Sequence, residues 1–403
     1  MTIDVVGGVY KERCLRPKWE EVYGSAGRAA VAIAQAGNPV RLHSYLTSGN
    51  REIMNSYGAM DGFEVIGPDV PESAEFHYVH GLITPLIKHP ETTYEPISIS
   101  SENIVRFGMI EGNAIVHCTY AVYDPQNVRK PESFHANGST AEHLALVLNR
   151  YEAGVMSGTP NATPEAMAQT LSEKESADVV IIKMGPHGAL VYSNGTHAII
   201  PLYLTSKVWK IGSGDVFVAH FARAWIQEKQ PPSVAAGLAS KATAYYCENR
   251  GFPDADRLLK FQPNPLTIGK EHQSGKTPAV YLAGPFFTLA QLWIVDEARK
   301  SLIALGLKVF SPYHDIGYGS AQDVVEKDIE GIRQCDLLFA IADGMDSGTI
   351  FEVGYARSLD KPVILYAENE PPENLKMMKG TECELETDFV TAIYKTLWTA
   401  IAR

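Results

Sequence analysis

Ala342-Asp343-Gly344-Met345-Asp346-Ser347-Gly348-Thr349-Ile350-Phe351-Glu352-Val353-Gly354-Tyr355-Ala356 follows directly on the apolar run Leu337-Leu338-Phe339-Ala340-Ile341. The run has the length and composition of a strand buried on both faces. The chain then turns through two glycines and opens a helix. Asp346 and Glu352 thereby fall between the carboxyl end of a strand and the first turns of a helix, where open α/β sheets bind ligands. Read in isolation, Thr349 to Glu352 also fits a capping box.

The pattern repeats outward from this stretch. A strand is expected at 362–366 and a closing helix at 386–402. Before it come a strand over Ala279–Ala283, a helix over 288–305, a strand over 307–310 and a helix over 320–333. Strands alternating with helices predict a small parallel sheet covered on both faces, a flavodoxin- or Rossmann-like unit over 278–403. Residues 253–277 are breaker-rich and poor in period, as in Gln262-Pro263-Asn264-Pro265, and are assigned as a linker.

Residues 1–252 read as a larger α/β domain with a doubly wound sheet. A first strand at 3–8 ends in Gly7-Gly8, and an Ala-rich helix runs from Gly24 to Gly37. Short strands are expected at 40–46, 63–66 and 76–80, with strand material in 114–124 ending at Asp124-Pro125. Helices are predicted over 139–147, 163–174, 214–228 and 232–249, and a hairpin-like element joins Asp178–Lys183 to Ala189–Tyr192.

The chain has 403 residues, 45% of them apolar and 20% charged, which suits two globular domains. A net charge of −12 argues against a broad nucleic-acid or anionic-membrane surface. No apolar run approaches the roughly 18 residues that span a bilayer. The five cysteines are scattered without a CxxC pair, so neither a zinc site nor a disulfide framework is indicated. With no signal-like N-terminus, a cytoplasmic protein is expected.

In the larger domain the informative string is Ile211-Gly212-Ser213-Gly214-Asp215-Val216-Phe217. Backbone N–H groups at such a helix mouth can hold a phosphate, and an acid there can take a hydroxyl proton during phosphoryl transfer. Asp215 also fits an ordinary helix N-cap. Asn149 and Glu152 fit a helix-terminus pair equally well. Together with Lys183-Met184-Gly185-Pro186-His187-Gly188 and the early glycines, these residues resemble the PfkB (ribokinase-like) family of carbohydrate and nucleoside kinases, over roughly residues 3–250. The resemblance implies a ribokinase-like fold, with ATP and magnesium as its requirements. Asp215 is then the base, and Gly212, Ser213 and Gly214 form the anion hole. Lys183, Gly185 and Gly188 lie on the nucleotide side, and Asn149 and Glu152 belong to the magnesium–phosphate network. Two departures stand out. Trp209-Lys210 replaces an Asp-Thr pair, and Arg28 replaces the asparagine of the early glycine motif. Arg28 in the acceptor pocket implies an altered pocket or one suited to an anion; Glu12 is the acid nearest the first strand.

In the smaller domain, cleavage of an N-glycosidic bond needs a carboxylate at the anomeric carbon, a proton for the leaving base and partners for the sugar hydroxyls. Tyr281 with Gly284-Pro285-Phe286-Phe287, Asp328, Asp346 and Glu352 supply such a set. The pattern resembles the nucleoside 2-deoxyribosyltransferase family over about 278–367. The resemblance implies Glu352 as nucleophile, Tyr281 as the residue that orients it, and Asp328 and Asp346 as contacts of base or sugar. Gly284, Phe286, Phe287, Ser347 and Gly348 would line the substrate, with no cofactor. It also implies a homo-oligomer with shared sites.

Two arrangements follow. In the first, the larger domain phosphorylates a nucleoside (or sugar), and the smaller one then cleaves a nucleoside or its 5′-monophosphate through a Glu352 glycosyl-enzyme. In the second, the smaller domain exchanges bases as a transferase, and the kinase-like domain only senses a nucleotide.

Overall fold

The computed structural model describes residues 1–126, 130–317 and 320–403. It divides into two compact units, one of residues 1–205 and 209–265, the other of 206–208 and 266–403. Among the described residues, no helix is long and apolar enough to cross a membrane.

Among the described residues, the first unit contains thirteen strands: β1 (Ile3–Val6), β2 (Lys11–Cys14), β3 (Trp19–Val22), β4 (Val40–His43), β5 (Glu64–Ile66), β6 (Glu75–Tyr78), β7 (Leu86–Lys88), β8 (Ile97–Phe107), β9 (Ala114–Asp124), β10 (Thr140–Asn149), β11 (Val179–Lys183), β12 (Ala189–Ser193) and β13 (Thr196–Ile200). Its helices are α1 (Gly24–Gln35), α2 (Ser48–Asp61), α3 (Arg150–Ser157), α4 (Pro164–Glu175), α5 (Ser213–Ala222), α6 (Pro232–Asn249) and α7 (Ala255–Lys260). Nine strands form one sheet in the order β13-β12-β11-β10-β9-β8-β1-β4-β5. From β11 to β5 every pairing is parallel, while β12 and β13 close one edge as an antiparallel hairpin. A second, mixed sheet, β3-β2-β6-β7, is built from the excursions after β1 and β5.

Apolar side chains leave the large sheet on both faces. Ala145 and Val147 of β10 join the core with α1, α5 and α6, whereas Leu144, Leu146 and Leu148 join the core with α3 and α4. Each of these leucines is at most 2% exposed, which stabilises by about 1.5–3 kcal/mol apiece. This corrects the helix predicted over 139–147. The Ala- and Leu-rich stretch has helical propensity, but a strand buried on both faces also loses its alternation, and packing between two helical layers decides the outcome. Because the strands are parallel, Asp124, Asn149 and Lys183 end β9, β10 and β11 at the same edge of the sheet, with Asn149 paired in register to Lys183.

The second unit follows the expected alternation. It comprises α8 (Lys270–Gln273), β14 (Ala279–Ala283), α9 (Leu289–Ala304), β15 (Lys308–Phe310), α10 (Pro312–Asp315), α11 (Ala321–Gln334), β16 (Leu337–Ile341), α12 (Ser347–Ser358), β17 (Val363–Tyr366), α13 (Lys376–Gly380), β18 (Glu384–Glu386) and α14 (Phe389–Ile401). The sheet order is β15-β14-β16-β17-β18, and all pairings are parallel. Its core gathers Tyr281, Ala283, Leu338, Ala340, Val353 and Leu365.

Candidate functional site

At the parallel edge of the first unit, α5 begins with Gly212 as its N-cap and has no side-chain cap. Gly212 has φ +77°, and a Cβ there would lie 2.1 Å from Arg28 Nε, so both backbone and space require glycine. Ser213 N turns back to Lys210 O at 3.2 Å, and the N–H groups of Gly214 and Asp215 are left to whatever binds there. Two lysines flank the opening. Lys210 Nζ donates to Ser213 Oγ at 3.1 Å, and Lys183 Nζ lies 3.5 Å from where a Gly214 Cβ would stand.

Asp215 lies in the first turn of α5 and is buried. Its Oδ2 accepts from Arg28 Nη1 at 2.8 Å and its Oδ1 from Gln126 Nε2 at 2.7 Å. Arg28 donates its other arm to Glu12 at 2.6 Å and is 1% exposed. The guanidinium thus faces inward and joins Glu12 of the small sheet to Asp215, rather than offering charge to a ligand. Burial raises the Glu12 carboxyl above its usual range, with Arg28 opposing.

The network continues across the edge. Gln126 also reaches Asp124 at 3.3 Å, and Asp124 accepts from Lys183 at 2.8 Å. Asn149 and Glu152 form a reciprocal capping box at α3, as the helix-terminus reading required. Burial pushes the Glu152 carboxyl up to about 7, with the Asp124 charge adding and Lys183 opposing. Gly185 and Gly188 bracket the turn between β11 and β12. Sequence reasoning assigned no role to Asp124 or Gln126. The signal for them is an acid followed by proline at the carboxyl end of a strand.

Among the described residues, no group of three or more His, Cys, Asp or Glu side chains is placed to hold a metal ion. Asp124 Oδ1 is buried without a partner among the described residues. That orphaned oxygen fits a cation arriving on phosphate oxygens rather than one resident in a protein cage.

In the second unit, Tyr281 sits in mid-β14, fully buried, with its ring stacked on Phe310 at 5.5 Å. Its hydroxyl donates to Glu352 Oε1 at 2.6 Å across the gap from β14 to α12. Glu352 is thus not part of a capping box. That task falls to Asp346, whose Oδ2 accepts from Thr349 N at 2.9 Å and Thr349 Oγ1 at 3.1 Å. Burial pushes the Glu352 carboxyl up to about 7, the Tyr281 hydrogen bond opposes, and the Asp328 and Asp346 charges add. Burial and the Glu352 charge together raise the Tyr281 hydroxyl well above its usual range, so it remains a donor. Asp328, on α11, has a buried Oδ1 without a partner among the described residues, and burial raises its carboxyl.

The remaining predicted positions frame this set. Gly284 directly follows β14, where a Cβ would lie 3.2 Å from Val295 and 3.3 Å from Ile341. Phe286 packs against Phe287 at 5.1 Å and Tyr313 at 5.4 Å, leaving Phe287 exposed. Ser347 and Gly348 open α12. Asp336 serves the backbone, accepting from Ala279 N, and His314 is tied to Ser311 and Asp296.

These geometries can be set beside known proteins. Residues 140–252 match the family model of pfkB family carbohydrate kinases, and residues 280–386 match that of nucleoside 2-deoxyribosyltransferases. The first match spans Asn149, Glu152, Lys183 and Asp215 but ends short of Arg28, Glu12 and Asp124. No curated protein matches the sequence. Among solved structures, a fructokinase from Vibrio cholerae O395, in its fructose, ADP and calcium ion bound form, is similar with a TM-score of 0.50 at 15% identity, covering 64% of this chain and 98% of the other. A double mutant of a Vibrio cholerae O395 fructokinase, bound to fructose, ADP and potassium ion, gives 0.51 at 15% identity, covering 64% and 97%. Such likeness establishes the fold of the first unit. The chain therefore joins a ribokinase-like fold, matching the pfkB carbohydrate kinase family over 140–252, to a unit matching the nucleoside 2-deoxyribosyltransferase family over 280–386.

Proposed function

We propose that this protein is a bifunctional nucleoside-processing enzyme, with an N-glycosidase centred on Glu352 and an ATP-dependent kinase centred on Asp215. The observation that carries the reading is the Tyr281–Glu352 hydrogen bond of 2.6 Å from mid-β14 to α12. A hydroxyl donor on one oxygen leaves the other to attack, and it fixes the direction of attack. Glu352 then displaces the base from C1′ and forms a glycosyl ester, while the electrons of the C–N bond go to the base nitrogen. Asp328, whose carboxyl burial raises, suits proton delivery to that nitrogen. Water resolves the ester.

In the first unit, Asp215 would accept the proton of the attacking hydroxyl. The open first turn of α5, with Lys183 and Lys210 beside it, would hold the transferring phosphate. Asp124 and Glu152 are the carboxylates that would contact magnesium carried on ATP; the ion supplies charge neutralisation for the phosphates. The sugar- and ADP-bound fructokinases of like fold support a sugar hydroxyl as acceptor.

A second reading keeps base exchange in the second unit and a nucleotide-sensing, non-transferring first unit. It is favoured by one observation, that both oxygens of Asp215 are already held by Arg28 and Gln126. A panel of ribo- and 2′-deoxyribonucleosides, assayed with and without Mg-ATP for free base and ADP, decides. Free base in water alone supports hydrolysis, and base release that requires a second nucleobase supports exchange. ADP formation that D215N abolishes supports the kinase.

A further inference from the structure

The two helix mouths are dressed for opposite charges. Around α12 the N-cap is the Asp346 carboxylate, and backbone N–H groups of the turn before the helix and of the stretch after β17 already donate to carboxylates of the chain. Gly344 N donates to Glu370 at 2.7 Å, Glu368 N and Asn369 N donate to Asp343 at 2.9 and 2.8 Å, and Thr349 N donates to Asp346 at 2.9 Å. The charges that bear on Glu352 are those of Asp328 and Asp346. A dianionic 5′-phosphate brought to this turn would compete with Asp346 for the Thr349 donor and be repelled by the Asp346 and Glu352 carboxylates. Around α5 the N-cap is a glycine, no side chain caps the turn, and Lys183 and Lys210 stand at its mouth. Among the described residues, the cation beside Asp215 is Arg28, and it is spent on Glu12 and Asp215.

We propose that N-glycosidic cleavage comes first: the Glu352 site takes the uncharged nucleoside, and the Asp215 site phosphorylates the sugar that cleavage releases. This reverses the order expected from the sequence, in which a kinase prepares a nucleotide for cleavage, and it rests on the function proposed above. In the first step the C1′–N bond breaks, the base leaves with the electron pair and gains a proton, and water finally supplies the C1′ hydroxyl as Glu352 departs. In the second step a sugar hydroxyl oxygen bonds the γ-phosphorus of ATP, the bridging bond to ADP breaks, and the hydroxyl proton passes to Asp215.

The full chain and the variants E352Q and D215N test this with the nucleoside panel, the matching 5′-monophosphates, free ribose and free 2-deoxyribose, each with Mg-ATP. The expected results are base release at least about tenfold faster from the nucleoside than from its monophosphate, and ADP formation from a free sugar. E352Q should lose ADP formation from nucleosides yet keep it from the free sugar, which also reports that the variant is folded. D215N should release base and leave the sugar unphosphorylated. Accumulation of a nucleoside monophosphate in E352Q, or faster cleavage of the monophosphate than of the nucleoside, overturns the order while leaving both activities standing. Base release from no substrate removes the Glu352 reading and the order with it.

Discussion

Asp215 and Glu352 occupy the same architectural place, the first turns of a helix beside the carboxyl edge of a parallel sheet, yet their neighbours differ in kind. Asp215 is held by a guanidinium, a partner that stays charged at every working pH, and by the amide of Gln126. Glu352 is held by a neutral hydroxyl, and the charges of Asp328 and Asp346 bear on it. Shared backbone geometry thus carries opposite electrostatics, and the electrostatics decides which chemistry each mouth can serve. Glu352, pushed up to about 7, changes charge across neutral pH. A nucleophile must be ionised, so base release rises with pH through that value.

The comparison breaks most sharply when each acid is neutralised in turn. E352Q keeps the size of the side chain and an oxygen for Tyr281, and it should lower base release on the order of 10²–10⁴-fold. D215N should lower ADP formation from free sugar by a similar factor. Each variant should leave the other reaction at its original rate. Cross-inhibition of both activities by either substitution would show that the two sites are not separate.

Removing the cation distinguishes the mouths next. Arg28 is 1% exposed, and the side chains of Glu12 and Asp215 that it joins are 6% and 10% exposed. R28M strands two buried acids, which should cost about 3–5 kcal/mol in urea unfolding followed in the first unit. Adding E12Q should recover part of that loss. A neutral result for R28M would mean that the acids find water instead.

Glu352 gives the opposite sign. Its folded carboxyl is raised from 4.5 to about 7, so the stability it contributes is complete below 4.5 and lost as pH rises through about 7. E352Q is free of that loss. It should therefore be more stable than the parent at pH 8, by up to about 3 kcal/mol, and show no such gain at pH 4. Thermal unfolding at the two pH values measures the difference, and an equal effect at both would place the Glu352 carboxyl in its ordinary range.

How far these contrasts were legible in the chain depends on what each residue answers to. The second unit reads directly, because each strand is an apolar block between amphipathic helices. The apolar run 337–341 is β16, and the expected 362–366 differs by one residue at its start from β17. β10 was misread because burial on both faces erased its alternation. β2 was missed for a related reason: in Lys11-Glu12-Arg13-Cys14 the inward positions are Glu12 and Cys14, and a buried glutamate makes no strand signal. Glu12 is inward because Arg28, sixteen residues on, meets it, and Asp215, far along the chain, completes the pairing. Such partners are set by topology rather than by local spacing. For the same reason Asp124 and Gln126 went unassigned, while Glu352, which belongs to a dense local motif, did not.

Charge at the α12 mouth can be removed without disturbing the helix. Asn caps as well as Asp, so D346N should preserve the bond to Thr349 N while deleting one anion near Glu352. The ratio of monophosphate to nucleoside cleavage should rise by up to about tenfold, with stability within about 0.5 kcal/mol of the parent. An unchanged ratio would move the discrimination against phosphate away from Asp346.

The smallest effect probes the hydroxyl. Tyr281 donates to Glu352 and so opposes the rise that burial imposes on it. Y281F keeps the ring against Phe310 and deletes only the donor. The midpoint of the pH–rate profile for base release should therefore move upward, by about one unit if the bond is an ordinary one to a charged group. Activity at pH 6 should fall more than activity at pH 9, where the carboxylate is ionised in both proteins. A uniform loss at all pH values would make Tyr281 a positioning residue alone. A midpoint that moves down would mean that the hydroxyl stabilises the protonated acid instead, and that the contrast with Arg28 and Asp215 is one of sign as well as of strength.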